Sequence, residues 1–439
     1  MSSWVIALLA LIVLAIIVVG AGLIWWNTRV KPQTPRFGTS PAIPAPKSQG
    51  AIPMLKMPTA RGWRDGEKPG VASGLKVAPF AENLEHPRWI YVLPNGDVLV
   101  AESATIAREV RGFMDFATNR TMKRAGATYP SANRITLLRD KDGDGVPEVR
   151  EIFLSGLHQP FGMALVGSTL YVGNSDSVMA FPYEEGQTRI SAPGRTIFTM
   201  KDGGHWTRNL IASPDGKKLY VAIGSLSNIA DEGFEAEEGR AMIVEIDIET
   251  EENRVFASGL RNPVGMAWEP EGGMLWTVVN ERDGLGDETP PDYLTSVRDG
   301  GFYGWPYAYW GDIVDDRVQP QQPDLVARTI APDYALGGHT ASLGLCWHDG
   351  KSLPSLPAGM VIGQHGSWNR SKLSGYKVLL VPFEQGGPLG EPVDLLTDFL
   401  SQDEKFSNGR PVGVTIAGDG ALLVADDVGH VVWRVTPAQ

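Results

Sequence analysis

The sequence predicts an all-β protein, a six-bladed β-propeller preceded by a single N-terminal transmembrane helix. Three observations carry this reading: a two-strand phrase that recurs six times, 51 Gly and 32 Pro in 439 residues, and an uncharged apolar run over residues 4–26. Gly and Pro weaken helix interiors and build the turns between short strands. A hydrophobic share of 43% with 21% charged residues is that of a folded chain rather than a disordered one. A formal net charge of −12 argues against a nucleic-acid partner, because phosphate binding needs a basic surface. The single cysteine, Cys346, excludes an internal disulfide and reads, in the run Leu343-Gly344-Leu345-Cys346-Trp347, as a buried structural thiol.

Taken from the N-terminus, residues 4–26 are long enough to cross a ~30 Å hydrocarbon layer at ~1.5 Å per residue. Only Met1, Ser2 and Ser3 precede them, without the basic start of a cleaved signal, so an uncleaved anchor is expected. Arg29, Lys31 and Arg36 follow, and the positive-inside rule taken alone places the large domain in the cytoplasm. Residues 27–73, rich in Pro, Ala, Gly and Ser, read as a flexible tether to a propeller occupying residues 74–436.

Within that domain the repeated phrase is a leading turn, mostly Pro-containing, then an apolar strand, a Gly-containing turn and a second apolar strand. The clearest copies begin at His86-Pro87-Arg88-Trp89, Gln159-Pro160-Phe161-Gly162, Asn262-Pro263-Val264-Gly265 and Arg410-Pro411-Val412-Gly413. Looser ones begin at Thr207-Arg208-Asn209 and Ala341-Ser342-Leu343-Gly344. Each is a hairpin signal, and the spacing suits a four-stranded blade with insertions. The strand near Leu75 and Phe80 is expected to pair with the final strand, Val431-Val432-Trp433-Arg434-Val435, and close the ring. The site is expected among the inter-blade loops around the channel. Asp140-Lys141-Asp142-Gly143-Asp144-Gly145, with Glu151 at position twelve, has the oxygen spacing of a calcium loop. Its flanks read as strands rather than helices, so a hairpin turn is preferred to a structural calcium site.

Three phrases, Gly259-Leu260-Arg261-Asn262-Pro263-Val264-Gly265, Gly301-Phe302-Tyr303-Gly304-Trp305-Pro306 and Gly203-Gly204-His205, together resemble the glucose/sorbosone dehydrogenase family. Gln364-His365-Gly366-Ser367-Trp368-Asn369-Arg370 and Ala425-Asp426-Asp427 look closest to its sorbosone dehydrogenase branch. The resemblance covers residues 74–436. It implies pyrroloquinoline quinone (PQQ) over the channel, a Ca²⁺ ion that holds and polarises the quinone, and oxidation of an aldose or a related aldehyde or polyol. It also favours an extracytoplasmic, periplasmic domain, against the charge rule.

Oxidising a hydroxyl needs a base for its proton, and imidazole titrates near neutrality. The resemblance implies that His205 is this base, and that Arg261 and Asn262 contact PQQ. PQQ carries three carboxylates, so Arg370 and Lys372 are expected as their clamp, with a solvated charge pair as the plain alternative. His339 and His365 are further candidates in Gly-flanked loops that also suit simple turn donors. The stretch Asn280-Glu281-Arg282-Asp283-Gly284 resembles the family segment whose main-chain carbonyls hold calcium, here Asp283 and Gly284, with a carboxylate of Glu281 or Asp283 as the alternative. Trp206, Trp305 and Trp368 suit stacking on sugar or quinone, though inter-blade packing is the commoner use. No Rossmann fingerprint, P-loop or haem-attachment Cys pair is present, so electrons require an external acceptor, a quinone or a cytochrome. The rival reading is a non-catalytic propeller that binds a protein or glycan at the membrane surface.

Overall fold

The computed structural model describes residues 3–29, 36–47, 56–106 and 113–438. Six antiparallel sheets form the blades of a propeller, as expected from the repeat. Blade 1 is built from Pro87–Val92, Val98–Glu102, Arg134–Arg139 and Val149–Leu154, and blade 2 from Met163–Val166, Thr169–Gly173, Ser177–Pro182 and Arg195–Thr199. Blade 3 comprises Leu210–Ala212, Lys218–Ile223, Met242–Asp247 and Asn253–Ser258; blade 4 comprises Pro263–Trp268, Leu275–Val279, Pro291–Ser296 and Tyr334–Gly338. Blade 5 runs through Ser342–His348, Gly359–Gln364, Lys377–Glu384 and Val393–Thr397. Blade 6 takes Pro411–Ile416, Leu422–Asp426 and Val431–Pro437 from the end of the chain and Leu75–Ala81 from its beginning.

That last pairing, Val435 opposite Val77 and Pro437 opposite Leu75, closes the ring as the sequence anticipates. It replaces two free edges with one ladder. Each seam between neighbouring blades buries its own apolar cluster, from Trp89 and Phe161 between blades 1 and 2 round to Ile90 and Leu423 between blades 6 and 1. The glycine of the repeated phrase is explained here. A Cβ on Gly162 would stand 2.2 Å from the Leu210 amide, and one on Gly344 would stand 2.1 Å from the Val412 carbonyl, so the first strands of adjacent blades pass too closely for a side chain. Cys346 is half-buried rather than enclosed, and packs at the edge of the blade 5 and 6 seam.

The N-terminal part departs from expectation in two respects. A 27-residue helix, Ser3–Arg29, is present, but among the described residues no helix is long and apolar enough to cross a membrane; the longest unbroken run of side chains described in it is 7–20. The described side chains of the helix are mostly exposed. Second, the flexible tether expected over 27–73 is largely fastened down where it is described. Phe37–Gly38 adds a fifth strand to blade 4 and Gly70–Val71 a fifth to blade 5, because both blades offer unpaired outer edges. Lys47 donates its backbone N–H to Leu285 O at 2.7 Å and Lys56 to Trp368 O at 2.8 Å, so this strap borders the same loops that form the site below. A helix not anticipated from sequence, Phe113–Arg124, lies between the second and third strands of blade 1, and Arg124 Nε donates to Thr59 Oγ1 of the strap at 2.7 Å.

Alternation along the closing strand gives a test of ring closure. Leu75 and Val77 are buried while Lys76 between them is exposed. Leu75→Ala is expected to lower the unfolding free energy in urea by about 2–5 kcal/mol, and Lys76→Ala by no more than about 0.5 kcal/mol. Equal effects would show that this strand is not part of the cooperative ring.

Candidate active site

Antiparallel pairing places the start of each blade's first strand beside the end of its second. The register pairs Pro87 with Glu102, Pro263 with Val279, Ser342 with Gln364 and Pro411 with Asp426. One residue further out, Asn280 N–H donates to Asn262 O at 3.0 Å and His365 N–H to Ala341 O at 2.9 Å. Residues that lead into first strands and residues that leave second strands therefore share one end of the channel. His205, Arg261, Asn262, Asp283, His339, His365, Arg410 and Asp427 belong to these positions, and Arg88 is the second residue of a first strand.

His205 is fixed from several sides. Its Nδ1 lies 2.8 Å from Ser225 O; a carbonyl only accepts, so Nδ1 carries the proton and Nε2 keeps its lone pair. Beneath it, the buried guanidinium of Arg208 donates to the carbonyls of His205, Thr207 and Lys201, and Arg240 donates to those of Lys201, Asp202 and Gly203. These two cations pin the Gly-Gly-His loop through its backbone. Burial and the nearby charge of Arg261 bring the imidazole down to about 3, so it is a neutral base at ordinary pH. Asn262 comes beside it across Gly224, where a Cβ would stand 2.4 Å from Asn262 Oδ1 and 2.6 Å from His205 Cβ.

Arg261 and the 281–284 loop form the next wall. Arg261 Nη1 donates to Glu281 O at 2.8 Å and Nη2 to Asn228 Oδ1 at 3.0 Å, with Asp283 Oδ2 at 3.6 Å. Asn228 also receives Trp305 Nε1 on its carbonyl at 3.0 Å, so Trp305 acts as a brace. Asp283 Oδ1 accepts from Asn369 Nδ2 at 2.6 Å and lies 3.2 Å from His339 Nδ1, while His339 Nε2 lies 2.8 Å from Gly286 O. Burial alone would favour the neutral acid, but His339, Arg261 and Asn369 hold Asp283 below the ordinary carboxylate range. His339 is raised in turn: Asp283 outweighs the opposing effect of burial.

Arg370 and Lys372 do not form the expected clamp. Arg370 is buried, its Nη1 donating to Gly338 O at 2.7 Å and Asp287 O at 3.1 Å and its Nη2 to the Glu288 carboxylate. It locks the loops of blades 4 and 5 together. Lys372 is exposed, and its carbonyl accepts from Arg370 Nε. The calcium ligands inferred from the 280–284 stretch also do not fit this arrangement. The Asp283 carbonyl accepts from Asn228 Nδ2 and Arg282 Nε, both at 3.1 Å, and the Gly284 carbonyl accepts from Arg317 at 3.2 Å. Guanidinium groups thus stand where a cation would. Glu281 is buried, pushed up to about 7 by that burial, with Oε2 accepting from Arg282 N–H and Oε1 without a donor. Among the described residues, the only group of three carboxylates with ligand atoms within 4.8 Å is Asp140, Asp142 and Glu148, in the hairpin between the third and fourth strands of blade 1. Asp140 there caps the amides of Gly143 and Gly145, as a turn does, and Glu151 instead belongs to the following strand.

Sequence reasoning missed Ser225, Asn228, Asn369, Arg88 and Arg410. Arg88 donates to Asp427 and lies 5.3 Å from the Trp206 ring; Arg410 donates to the carbonyls of His365 and Gly366. A cation two residues on from His86 or just ahead of Pro411 was the available signal. Among the described residues, several buried atoms lack a partner: the donors Arg88 Nε, Arg208 Nε and Asn209 Nδ2, and the acceptors Asn262 Oδ1 and Asn369 Oδ1. Such atoms are costly unless a ligand or water meets them.

Neutral His205 has a consequence for stability. The unfolded chain protonates it near the ordinary 6.5, the folded chain only near 3, so the unfolded state binds more protons between these values and stability falls as pH is lowered through them. His205→Gln removes this contribution. The variant is expected to lose less in Tm than the wild type when pH is lowered from 6.5 to about 4, and an equal loss would place the imidazole in a more open setting.

Comparison with known proteins agrees with this architecture. The chain is 25% identical over 380 residues to an uncharacterized protein of Borreliella burgdorferi, covering 83% of this chain and 90% of that one. It is 25% identical to a pyrroloquinoline quinone-dependent pyranose dehydrogenase of Coprinopsis cinerea over 83% of this chain, but spans only 54% of that enzyme's length. Among solved structures, a Trichoderma reesei carbohydrate-active enzyme of family AA12 superposes with a TM-score of 0.69 at 20% identity, covering 88% of this chain and 99% of that one. The holo form of the PQQ domain of the Coprinopsis cinerea pyranose dehydrogenase gives 0.67 at 22% identity, over 87% and 100%. The TrAA12-like family matches residues 69–290 and 319–438, so all six blades lie largely within the matched region, and the chain belongs to the TrAA12-like family.

Proposed function

We propose that this protein is a PQQ-dependent dehydrogenase that oxidises an aldose sugar, or a related sorbosone-like aldehyde or polyol, and passes the electrons to an external acceptor. The observation that carries this reading is His205: a neutral imidazole with a fixed Nδ1–H and a free Nε2, beside Asn262 and Arg261 at the mouth of a propeller channel. The relatives named for PQQ-dependent oxidation of pyranose and other sugars support it. A tricarboxylate suits a channel end that carries the guanidinium groups of Arg88, Arg261 and Arg410. When bound, PQQ supplies a quinone that takes up the two electrons of a sugar hydroxyl carbon.

The chain's own groups do the rest. Nε2 of His205 takes the hydroxyl proton, which a neutral base can do across the physiological range. Ser225 keeps the ring in the productive tautomer, and Arg208 and Arg240 keep the loop from retreating. Arg261 places a fixed positive charge beside the same site, where negative charge accumulates during oxidation. His205→Ala is expected to abolish dye-linked sugar oxidation, a loss of about 10²–10⁴-fold or more, while PQQ remains bound. The assay is run on a panel of aldoses, sorbosone and polyols, with and without PQQ, in calcium-containing buffer. Turnover in the variant would remove His205 from this role, and a wild type that binds no PQQ would favour a propeller used for recognition.

Localisation is part of the same proposal. The sequence over residues 4–26 carries no charge and is almost entirely apolar, and on that ground, rather than on the described side chains of the helix, we place this segment in the cytoplasmic membrane with the propeller on the extracytoplasmic side. Deleting residues 1–30 is expected to move the protein from the carbonate-washed membrane pellet to the supernatant with its sugar oxidation intact. A full-length chain already in the supernatant would refute the anchor.

A further inference from the structure

The strap, described over 36–47 and 56–68, precedes the family match that begins at residue 69, yet it fastens to loops of three blades at the channel end. On blade 4, Thr289 Oγ1 donates to Pro44 O at 2.9 Å. On blade 5, Lys56 Nζ donates to the carbonyl of Ser371, beside Arg370, at 2.9 Å. Ahead of blade 6, Thr59–Ala60 pairs in parallel with Phe406–Ser407. Trp63 then enters the seam between blades 5 and 6. Its ring stands edge-on to Phe399 and Trp433, with centroids 5.4 and 5.5 Å away, and its Nε1 donates to Asp426 Oδ2 at 2.7 Å.

Asp426 is fully buried and ties several segments together. Besides Trp63 it accepts from Trp433 Nε1 at 3.1 Å and from the backbone N–H groups of Arg410 and Gly429, both at 2.8 Å. Glycines make room for this junction: a Cβ on Gly409 would stand 2.1 Å from Asp426 Oδ2, and one on Gly429 2.7 Å from Trp63 Cδ1. Two residues of the channel end depart from the backbone that Asp426 holds. Arg410, whose amide it accepts, carries its guanidinium to the His365 and Gly366 carbonyls, and Asp427, the next residue, receives Arg88. Burial pushes the Asp426 carboxyl up to about 6, and the Trp63 indole is foremost among the donors that oppose it. Without that indole N–H, Oδ2 keeps only the longer bond from Trp433, and an under-satisfied buried acceptor is costly enough to shift what surrounds it.

Resting on the PQQ reading above, we propose that Trp63 is a positioning residue for cofactor binding: by donating to Asp426, a strap residue outside the family region sets the places of Arg410 and Asp427 at the channel end. Trp63 itself touches no ligand and acts through the carboxylate. The strap is then a working part of the site and not a passive connection to the N-terminal helix.

The test compares the full chain with Trp63→Phe, which keeps an aromatic ring against Phe399 and Trp433 and removes the N–H. PQQ affinity is read by calorimetry in calcium-containing buffer, and amide hydrogen exchange is followed separately without PQQ. Trp63→Phe is expected to raise the Kd for PQQ about ten-fold, the effect of one lost buried donor. It is also expected to speed exchange at the amides of Arg410 and Gly429. Leu75→Ala, at the opposite end of the same blade, controls for lost stability alone: its Tm falls, and its Kd for PQQ is expected to stay within about two-fold of the wild type. A Trp63→Phe protein that loses Tm but keeps the wild-type Kd would make Trp63 a packing residue and overturn the assignment. Weaker PQQ binding with unchanged exchange at Arg410 and Gly429 would overturn it as well. A wild type that binds no PQQ, with exchange responding as expected, would instead overturn the cofactor reading on which the assignment rests.

Discussion

The site depends on one geometric constraint, the register between the first two strands of each blade. Because Pro263 pairs with Val279, Ser342 with Gln364 and Pro411 with Asp426, every blade delivers one leading loop and one trailing loop to the same end of the channel. A slip of one residue would turn the side chains of a strand to its other face. Close packing at Gly162 and Gly344 keeps neighbouring blades in step, and the pairing of Leu75–Ala81 with Val431–Pro437 prevents the ring from opening. Catalytic geometry is thus inherited from sheet geometry, and loops carry it only over the last few residues.

Charge then organises what the sheets deliver. The chain is acidic overall, yet its channel end carries buried guanidinium groups at Arg88, Arg208, Arg261, Arg370 and Arg410. Each has a protein acceptor, with Asp427 and Glu288 countering Arg88 and Arg370 and backbone carbonyls serving Arg208, Arg261 and Arg410. These interactions immobilise loops from different blades against one another, since breaking a buried pair leaves an uncompensated charge. Burial, with the charge of Arg261 second, keeps His205 neutral at ordinary pH. In blade 4, the excursion after Pro291–Ser296 climbs back to this end and contributes Trp305 and the Arg282–Asp315 pair, which steady the 281–284 loop.

Much of this was legible in the sequence, and the failures are informative. The six hairpins, the closing strand and the His205 and Arg261-Asn262 phrases could be read because each is local or repeats along the chain. Ser225 and Asn228 could not, because their roles arise only when second-strand ends meet loops from neighbouring blades. Arg370 read as a free cation because nothing in its own segment shows that Glu288, 82 positions away, occupies it. The Asp283 and Gly284 carbonyls read as calcium ligands are instead engaged by side chains, and a carbonyl's availability depends on Arg282 and Arg317, whose directions no motif records. Proline content suggested a free tether, whereas edge pairing by Phe37 and Gly70 depends on which blade edges remain open.

The convergence of His205 and Asn262 across Gly224 is the central claim, and Gly224→Ala tests it most directly. The measurement is equilibrium binding of PQQ to the wild type and this variant, followed by quenching of tryptophan fluorescence, with circular dichroism confirming the fold. A Cβ there would meet Asn262 Oδ1 and His205 Cβ at 2.4 and 2.6 Å, so the account predicts tight binding by the wild type and loss of binding by the variant. Equal binding by both, or none by either, would contradict it.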